Sequence, residues 1–272
     1  MRVRAIRATS CGMDATLAAL VRRHDPDRFL TALFAPPERR DALLTLYAFN
    51  HELARAREVA SEPTLALIRL QWWREVVDGA VRQHEVATPL AAAIHSGTLQ
   101  RVDLHALIEA REIEAEPEIA TLDEWRAYVL AGAGGLAVAA ARLLGAPEPE
   151  ALRPLGAAYG VAGLLRSVTV LAARGRCLLP VKLLAAQGVP VEAAISAPDA
   201  PPVRAVLTRV AEEGRVLLRQ GKAARVPRGA IAAALPAVLA RRDLARWPRL
   251  APAPRGIGDK LAVTIAGLRG RV

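Results

Sequence analysis

Apolar residues recur three or four positions apart along almost the whole chain, and the alternating runs that are typical of strands are missing. Ala, Leu, Arg and Glu, which favour helices, dominate these segments. Prolines fall where helices would begin or end, as at Pro36, Pro63 and Pro180. The pattern predicts helices over 14–23, 26–34, 38–59, 64–84, 89–96, 103–115, 122–144, 150–173, 203–221 and 257–269.

Two of these helices have recognisable starts. Thr88 and Pro89 are interpreted as an N-cap followed by proline at the first helical position. Thr121 and Glu124 have the spacing of a capping box, and Gly145 is placed to end the helix that they open. These signals support the predicted boundaries.

The chain contains no repeat and no linker long enough to divide two domains, so we predict one all-α domain over 13–272. Residues 1–12 contain arginines but no apolar centre of a secretory signal. They are interpreted as an N-terminal tail or as the product of an upstream start codon, with Met13 as the natural beginning.

Glycines lie inside two predicted helices, where each costs about 0.5–1 kcal/mol relative to alanine. Either close helix–helix packing or an internal cavity beside the backbone would compensate for this loss. The positions are Gly132, Gly134, Gly135, Gly156, Gly160 and Gly163.

The formal net charge is +10, and arginine carries it almost alone because only three lysines are present. A basic surface favours diphosphates, anionic lipid headgroups or nucleic acid. Interleaved aromatic residues and nucleic-acid-binding motifs are missing, so a nucleic-acid partner is not expected. The two cysteines, Cys11 and Cys177, provide neither a disulfide framework nor metal-ligand spacing.

No apolar run approaches the roughly 18–20 residues that span a bilayer. A soluble intracellular protein is expected, with contact to a membrane surface left open. The segment 257–269 places Leu261, Ile265 and Leu268 on one face beside basic residues. It is either an ordinary packing helix or one that lies in a membrane interface.

The stretch 156–180 contains three arginines and a closing Leu179-Pro180, but no Asp or Glu. Together with the segment from Leu46 that reads LYAFNHELARAREVA and with YVLAGAGGLAVAAARLLG at 128–145, it resembles the squalene/phytoene synthase family. The resemblance runs in family order from about Asp25 to Pro180. It implies the isoprenoid-synthase fold, an all-α helical bundle around a central cavity.

Members of that family join two prenyl diphosphates through magnesium ions held by two Asp-rich motifs on facing helices. Carboxylates at i and i+4 share a helix face, and magnesium prefers such oxygen ligands. In the first motif, Ala54 and Arg55 stand at the paired Asp positions, followed by Glu58 as the later acid. In the second, the ligand positions carry Gly160, Gly163, Ser167, Val170 and Leu171.

The resemblance also marks residues that could still line a pocket or bind an anion. We take these as Tyr47, His51, Glu58, Arg166, Arg174 and Arg176. Solvated ion pairs, or charge compensation at a helix end, are the alternative interpretations for the charged ones. Of the adjacent Trp72 and Trp73, one is expected in the core and the other in the core, a pocket wall or a partner surface.

The segment from Ile68 to Arg74, taken together with the missing carboxylates, resembles a family branch that includes a mitochondrial complex I assembly factor. The resemblance implies a non-catalytic scaffold or assembly factor at the membrane face, with a protein partner such as a respiratory-complex subunit and no metal or cofactor. The alternatives are a prenyl transferase that uses magnesium, or a module that binds an isoprenoid or lipid. The expected location is the cytoplasm or the inner-membrane surface of a bacterium, or the matrix side of a mitochondrion.

Overall fold

The computed structural model describes residues 16–58, 62–116, 118–222, 224–249 and 253–272. The tail proposed for 1–12, Cys11 and Met13 lie outside these ranges. Helices occupy most of the described chain, and no strand occurs in it. The helices are α1 (16–24), α2 (Pro26–Ala32), α3 (Pro37–Glu58), α4 (Pro63–Asp78), α5 (Ala87–His95), α6 (Arg101–Glu112), α7 (Leu122–Val129), α8 (Gly135–Leu143), α9 (Arg153–Ala173), α10 (Val181–Ala186), α11 (Val191–Ser196), α12 (Pro201–Gly221), α13 (Ile231–Ala234), α14 (Pro236–Arg246) and α15 (Ile257–Arg269).

Helix α9 is the centre of the bundle, because it packs against α8, α12 and α14. On the other side, α3 packs against α4, α5 and α8. One apolar core lies mainly between α3, α4, α6 and α8, and a second lies between α9 and α12. These contacts hold α3 and α9 as two walls of one all-α domain.

Several predicted boundaries need correction. The helix predicted over 64–84 ends at Asp78, because Gly79 adopts φ 118° and terminates it. Helix α5 begins at Ala87, so Thr88 is not the N-cap and Val86 occupies that position. The capping box at Thr121 is present, with Glu124 N donating to Thr121 Oγ1 at 3.1 Å.

The sequence pattern did not predict four of the helices, namely α10, α11, α13 and α14. Helices α10 and α11 have six residues each, too few to establish a period. Alanines dominate the run that α13 and the start of α14 share, and its residues are buried on every side. Because this run has no polar face, it has no amphipathic period to detect.

The helix predicted over 122–144 is interrupted by a π-helical segment, Leu130–Gly134, between α7 and α8. Such segments widen a helix locally and often occur at functional sites. This one faces α9 and brings Gly132 and Ala133 to a cavity described below.

The glycines of α9 show both explanations that the sequence left open, close helix–helix packing and a cavity beside the backbone. A Cβ on Gly156 would lie 2.4 Å from Ala137 Cβ, and one on Gly160 would lie 2.6 Å from Ala133 Cβ, so both allow close packing. A Cβ on Gly163 would meet nothing within 4 Å, because this position faces open space.

One stretch, Pro149–Ala173, is long and apolar enough to cross a membrane by length and composition. This corrects the expectation that no apolar run reaches that length. Half of its most apolar window is buried, and α9 lies between α8, α12 and α14. A core helix of a bundle has the same properties, so the stretch is weak support for a membrane span.

Candidate functional site

The principal cavity lies between α3, α9 and the π-helical segment, and its volume is about 460 Å³. Helix α3 contributes Asn50, Ala54 and Glu58, which follow one another at intervals of four residues and so share a face. Helix α9 supplies the opposite wall. The two segments that the sequence singled out therefore face each other across one cavity.

Most of the proposed motif positions line this cavity. On the α9 wall, Gly163 and Ser167 are followed by Val170 and Leu171, and Ala54 lies across from them on α3. Gly160 also lines it, where a Cβ would lie 2.6 Å from Ala133 Cβ of the π-helical segment. The cavity wall thus presents hydrogen, methyl, hydroxyl and branched apolar groups at these positions.

Arg55 is the exception. The structure places it on the other side of α3, where its Nη1 lies 2.8 Å from the Glu52 carboxylate. It lines a separate groove with Ile68 and Trp72. Neighbouring residues on a helix point about 100° apart, and here that turn directs Arg55 away from the cavity that Ala54 lines. An arginine has therefore not replaced a ligand inside it.

Three of the six residual candidates line the cavity: Glu58, Arg174 and Arg176. Arg174 Nη1 lies 3.2 Å from Glu58 Oε2, which joins the end of α3 to the end of α9. Both side chains remain substantially exposed, so this pair closes the cavity from the solvent side without being desolvated.

The other three candidates lie elsewhere. Tyr47 is buried behind the cavity, where the Arg28 guanidinium lies 5.8 Å from its ring centre. His51 stacks on His24 with 4.4 Å between ring centres. Arg166 donates to the Ala253 carbonyl and lies 3.8 Å from the Asp243 carboxylate, outside the cavity lining.

A buried ionic cluster around Glu114 forms one end of the cavity, and the sequence analysis missed it. Arg111 Nη1 lies 2.6 Å and Arg176 Nη2 lies 2.8 Å from the Glu114 carboxylate, and Tyr128 Oη donates to it at 2.8 Å. Arg111 also donates to Asn50 Oδ1 at 3.1 Å, so the cluster reaches the α3 wall. The spacing of Arg111 and Glu114 was visible in the sequence, but their link to Arg176 depends on tertiary packing.

These contacts set the protonation states of the cluster. Burial alone would raise the pKa of Glu114, but the charges of Arg111 and Arg176 outweigh it and hold the pKa below its ordinary value. Burial and the adjacent Glu114 charge raise the pKa of Tyr128. Glu114 is therefore an anion that three neighbours stabilise, and Tyr128 stays a neutral donor.

Asp25 is the third carboxylate of the cavity, at the side where α2 begins. It caps α2 by accepting from Arg28 N at 3.0 Å, and it forms an ion pair with the Arg28 guanidinium at 2.7 Å. Every carboxylate that lines the described cavity is therefore already bound by an arginine. Within the described ranges, no three His, Cys, Asp or Glu side chains are placed to share a metal ion.

The adjacent Trp72 and Trp73 have different surroundings, as expected for neighbouring residues on a helix. Trp73 is buried and packs edge-to-face on Phe49, with 5.4 Å between ring centres. Trp72 is half-buried and lines the separate groove with His84.

An all-helical bundle with two facing helices around a central cavity defines the isoprenoid-synthase fold. Solved structures agree, since a crystal structure of a dehydrosqualene synthase superposes with a TM-score of 0.76 and covers 95% of this chain and 96% of its own. The two sequences are only 14% identical, so this likeness shows the fold alone.

The chain belongs to the squalene/phytoene synthase family, because the model of that family matches residues 21–251. It is 27% identical over 219 residues to bovine (Bos taurus) NADH dehydrogenase (ubiquinone) complex I, assembly factor 6, and this match spans 78% of the chain and 66% of the relative. It is also 27% identical over 254 residues to presqualene diphosphate synthase from Rhodopseudomonas palustris, spanning 85% of the chain and 88% of that enzyme. The chain thus spans just under two thirds of the length of the assembly factor.

Proposed function

We propose that this protein is a non-catalytic member of the family that acts as a scaffold in the assembly of a respiratory complex. The observation that carries the proposal is the state of the cavity carboxylates. Asp25, Glu58 and Glu114 are each engaged by arginine, and the α9 wall has Ser167, Val170 and Leu171 where the resemblance places the acids of the family motif.

The residues present do not fit a magnesium–diphosphate cluster. Magnesium needs hard oxygen ligands in a near-octahedral arrangement. To bind the ion, Glu58 would have to exchange Arg174 for it, and Glu114 would have to leave two guanidinium groups in a buried site. Rebuilding the motif at Gly160 would also push a side chain into Ala133. No metal-dependent step is therefore assigned to this cavity.

Similarity to the complex I assembly factor supports a protein partner among respiratory-complex subunits. The proposed location is the cytoplasmic face of the inner membrane, or the matrix face in a eukaryotic cell. A nucleic-acid partner is not part of the proposal.

A prenyl transferase is the second candidate, because the match to presqualene diphosphate synthase covers 88% of that enzyme. In this alternative Arg174 and Arg176 would bind a diphosphate and magnesium would be required. A module that binds an isoprenoid without turnover also fits a cavity of about 460 Å³ with an apolar wall.

The first experiment tests catalysis. Purified protein is incubated with farnesyl or geranylgeranyl diphosphate and magnesium, and released diphosphate is measured. We expect no release above the protein-free background. Magnesium-dependent release that disappears in Glu58→Gln and in Arg174→Gln would overturn the proposal in favour of the transferase.

A restored variant provides the comparison for metal binding. Ala54, Ser167 and Leu171 are changed together to Asp, with Asn at the same positions as the matched control, and magnesium affinity is measured by calorimetry. Because the new carboxylates supply oxygen ligands that Glu58 and Glu114 do not offer while they pair with arginine, we expect added affinity in the Asp variant and none in the wild type or the Asn control. Equal binding by all three proteins contradicts it.

The second experiment tests the scaffold role in the native host. Deleting the gene should lower the amount of assembled NADH dehydrogenase complex on native gels. A Glu58→Gln/Arg174→Gln chain should restore assembly as fully as the wild type, because a scaffold does not use these groups chemically. Restoration by the wild type alone favours an enzyme, and an unchanged complex in the deletion strain contradicts the assembly role.

A further inference from the structure

A basic groove of about 860 Å³ lies apart from the central cavity, between α12, the segment 224–231 and residues 270–272. None of the described residues that line it is Asp or Glu. Its basic side chains are Arg215, Arg219, Lys222, Arg225, Arg241 and Arg271.

Most of these charges have no partner. Arg215 donates to the Leu244 carbonyl at 2.8 Å. The other five are exposed, and none forms an ion pair or a side-chain hydrogen bond with a described residue. This contrasts with the central cavity, where each lining arginine is paired with a carboxylate. An arginine-rich composition alone does not explain five unpaired cations around one groove.

The floor of the basic groove is apolar. Leu155, Leu218, Val226 and Ile231 line it beneath the charges. A ligand that suits both parts has a negatively charged head and hydrocarbon attached to it.

Helix α15 leads directly into this groove and carries an unpartnered apolar stripe. Ile257, Leu261, Ile265 and Leu268 are 77%, 54%, 47% and 72% exposed. At 100° per residue they cluster on one side, opposite the fully buried Val263. Lys260 and Arg269 are also exposed on the same helix.

We propose that the basic groove and the apolar stripe of α15 together form a binding face for an anionic phospholipid bilayer. The stripe would enter the boundary between headgroups and acyl chains, and the five unpaired cations would bind lipid phosphates. Charge complementarity favours this occupant, because five unpaired cations beside an apolar surface match an anionic lipid interface.

The inference rests on the membrane placement within the proposed function, but an experiment can contradict either one without contradicting the other. Lipid binding at this face does not require any property of the central cavity. Diphosphate release and complex assembly can therefore be scored independently of it.

Vesicle flotation tests the proposal. The full chain is mixed with vesicles of phosphatidylcholine alone or of phosphatidylcholine with phosphatidylglycerol, at low and high salt. We expect binding to the anionic vesicles that weakens as salt increases, and little binding to phosphatidylcholine.

One variant removes the cations of the basic groove, and another removes the apolar stripe of α15. Arg219, Lys222, Arg225 and Arg271 are changed to Gln in one, and Leu261, Ile265 and Leu268 to Gln in the other. Each variant should reduce the apparent affinity for the vesicles by about tenfold or more. Every cation near the lipid headgroups and every apolar side chain that enters the bilayer contributes to the free energy of membrane binding. All seven residues are exposed or nearly so, and circular dichroism checks that the fold is retained.

The matched controls change equal numbers of exposed residues elsewhere. Arg22, Arg23, Arg69 and Arg204 become Gln in the charge control, and Val81, Val102 and Ile68 become Gln in the apolar control. Both should bind like the wild type.

Failure of the wild type to float, or an equal loss in variants and controls, overturns the proposal. Salt-independent binding to phosphatidylcholine also overturns it. If the wild type does not float but sediments as a dimer that the α15 variant dissociates, the face is an interface between two copies.

Discussion

Gly156 and Gly163 lie two turns apart on α9 and have opposite surroundings. Position 156 is pressed against Ala137 and the Ala133 carbonyl, whereas position 163 opens into the cavity. Both glycines carry the same helix-propensity penalty. A difference in stability between alanine substitutions at the two positions therefore reports on packing alone.

We expect Gly156→Ala to lower the free energy of unfolding by about 1–3 kcal/mol, because a Cβ there forces α8 and α9 apart. Gly163→Ala should raise it by about 0.5–1 kcal/mol, since the methyl group enters open space and the helix gains propensity. Urea denaturation of both variants measures the two values. Equal effects of the same sign would contradict the close packing of α8 and α9.

The carboxylates of the cavity show why residue type alone does not define a site. The resemblance assigns Glu58 to a motif position, but its partner is Arg174. Glu114 lies outside both motifs, yet its carboxylate accepts hydrogen bonds from Arg111, Arg176 and Tyr128. The chemistry that each carboxylate can perform depends on which guanidinium reaches it.

At the scale of elements, Asp259 connects α15 to α14. It accepts from Arg242 Nε at 2.6 Å and from Arg246 Nη2 at 2.7 Å, and its side chain is 5% exposed. The hydrogen bond from Arg246 is the largest influence on Asp259, and with the Arg242 contact it holds the pKa well below the ordinary value. These bonds fix the helix whose apolar stripe faces outward.

Asp259→Asn should therefore lower the free energy of unfolding by about 1.5–3 kcal/mol and speed amide hydrogen exchange throughout α15. Glu212→Gln is the control, because the one ion pair of Glu212 within the described residues is with the exposed Arg209, and the change should alter stability by less than about 0.5 kcal/mol. Unchanged exchange in α15 would mean that packing of Val263 and Gly267 holds the helix by itself.

The π-helical segment is the other element that determines the cavity. Leu130–Gly134 interrupts what would otherwise be one helix from Leu122 to Leu143, and Gly134 lets α9 approach, because a Cβ there would lie 2.8 Å from the Arg153 carbonyl oxygen. The capping signals at both ends of this stretch were visible in the sequence. The interruption was not, because a π-helical turn keeps the same residue types and shifts only the hydrogen-bond pattern.

For the whole molecule, buried charges make stability depend on pH. The folded-state pKa of Glu114 and of Asp259 lies below the ordinary value, so the unfolded chain binds more protons as the pH falls. Burial, together with the neighbouring His24, also lowers the pKa of His51 below its ordinary 6.5. All three groups thus contribute stability at neutral pH that acid removes.

We expect the free energy of unfolding to fall gently as the pH drops below about 6.5 and more steeply below about 4.5, the ordinary values for His and Glu. Urea unfolding across the pH range measures the curve. His51→Gln should flatten the upper part and leave the lower part unchanged. A wild-type stability that increases between pH 7 and pH 5 would contradict the directions of these shifts.

The sequence by itself determined the fold class and the two segments that face each other. Helix period, capping residues and family order are local or ordered along the chain, so Ala54 on α3 and Ser167 on α9 could be assigned to one site before any contact was known. The same local information could not separate Ala54 from Arg55, because adjacent residues differ only in the direction they point.

Tertiary structure alone decided which carboxylate meets which arginine. Glu114 and Arg176 are 62 residues apart in the chain and 2.8 Å apart in space, and no spacing rule connects them. The same holds for Gly156 and Gly163, whose roles depend on how closely another helix approaches. Periodicity specifies the helices, whereas the charge state of the cavity and the unpaired basic groove depend on contacts between residues that are distant in the sequence.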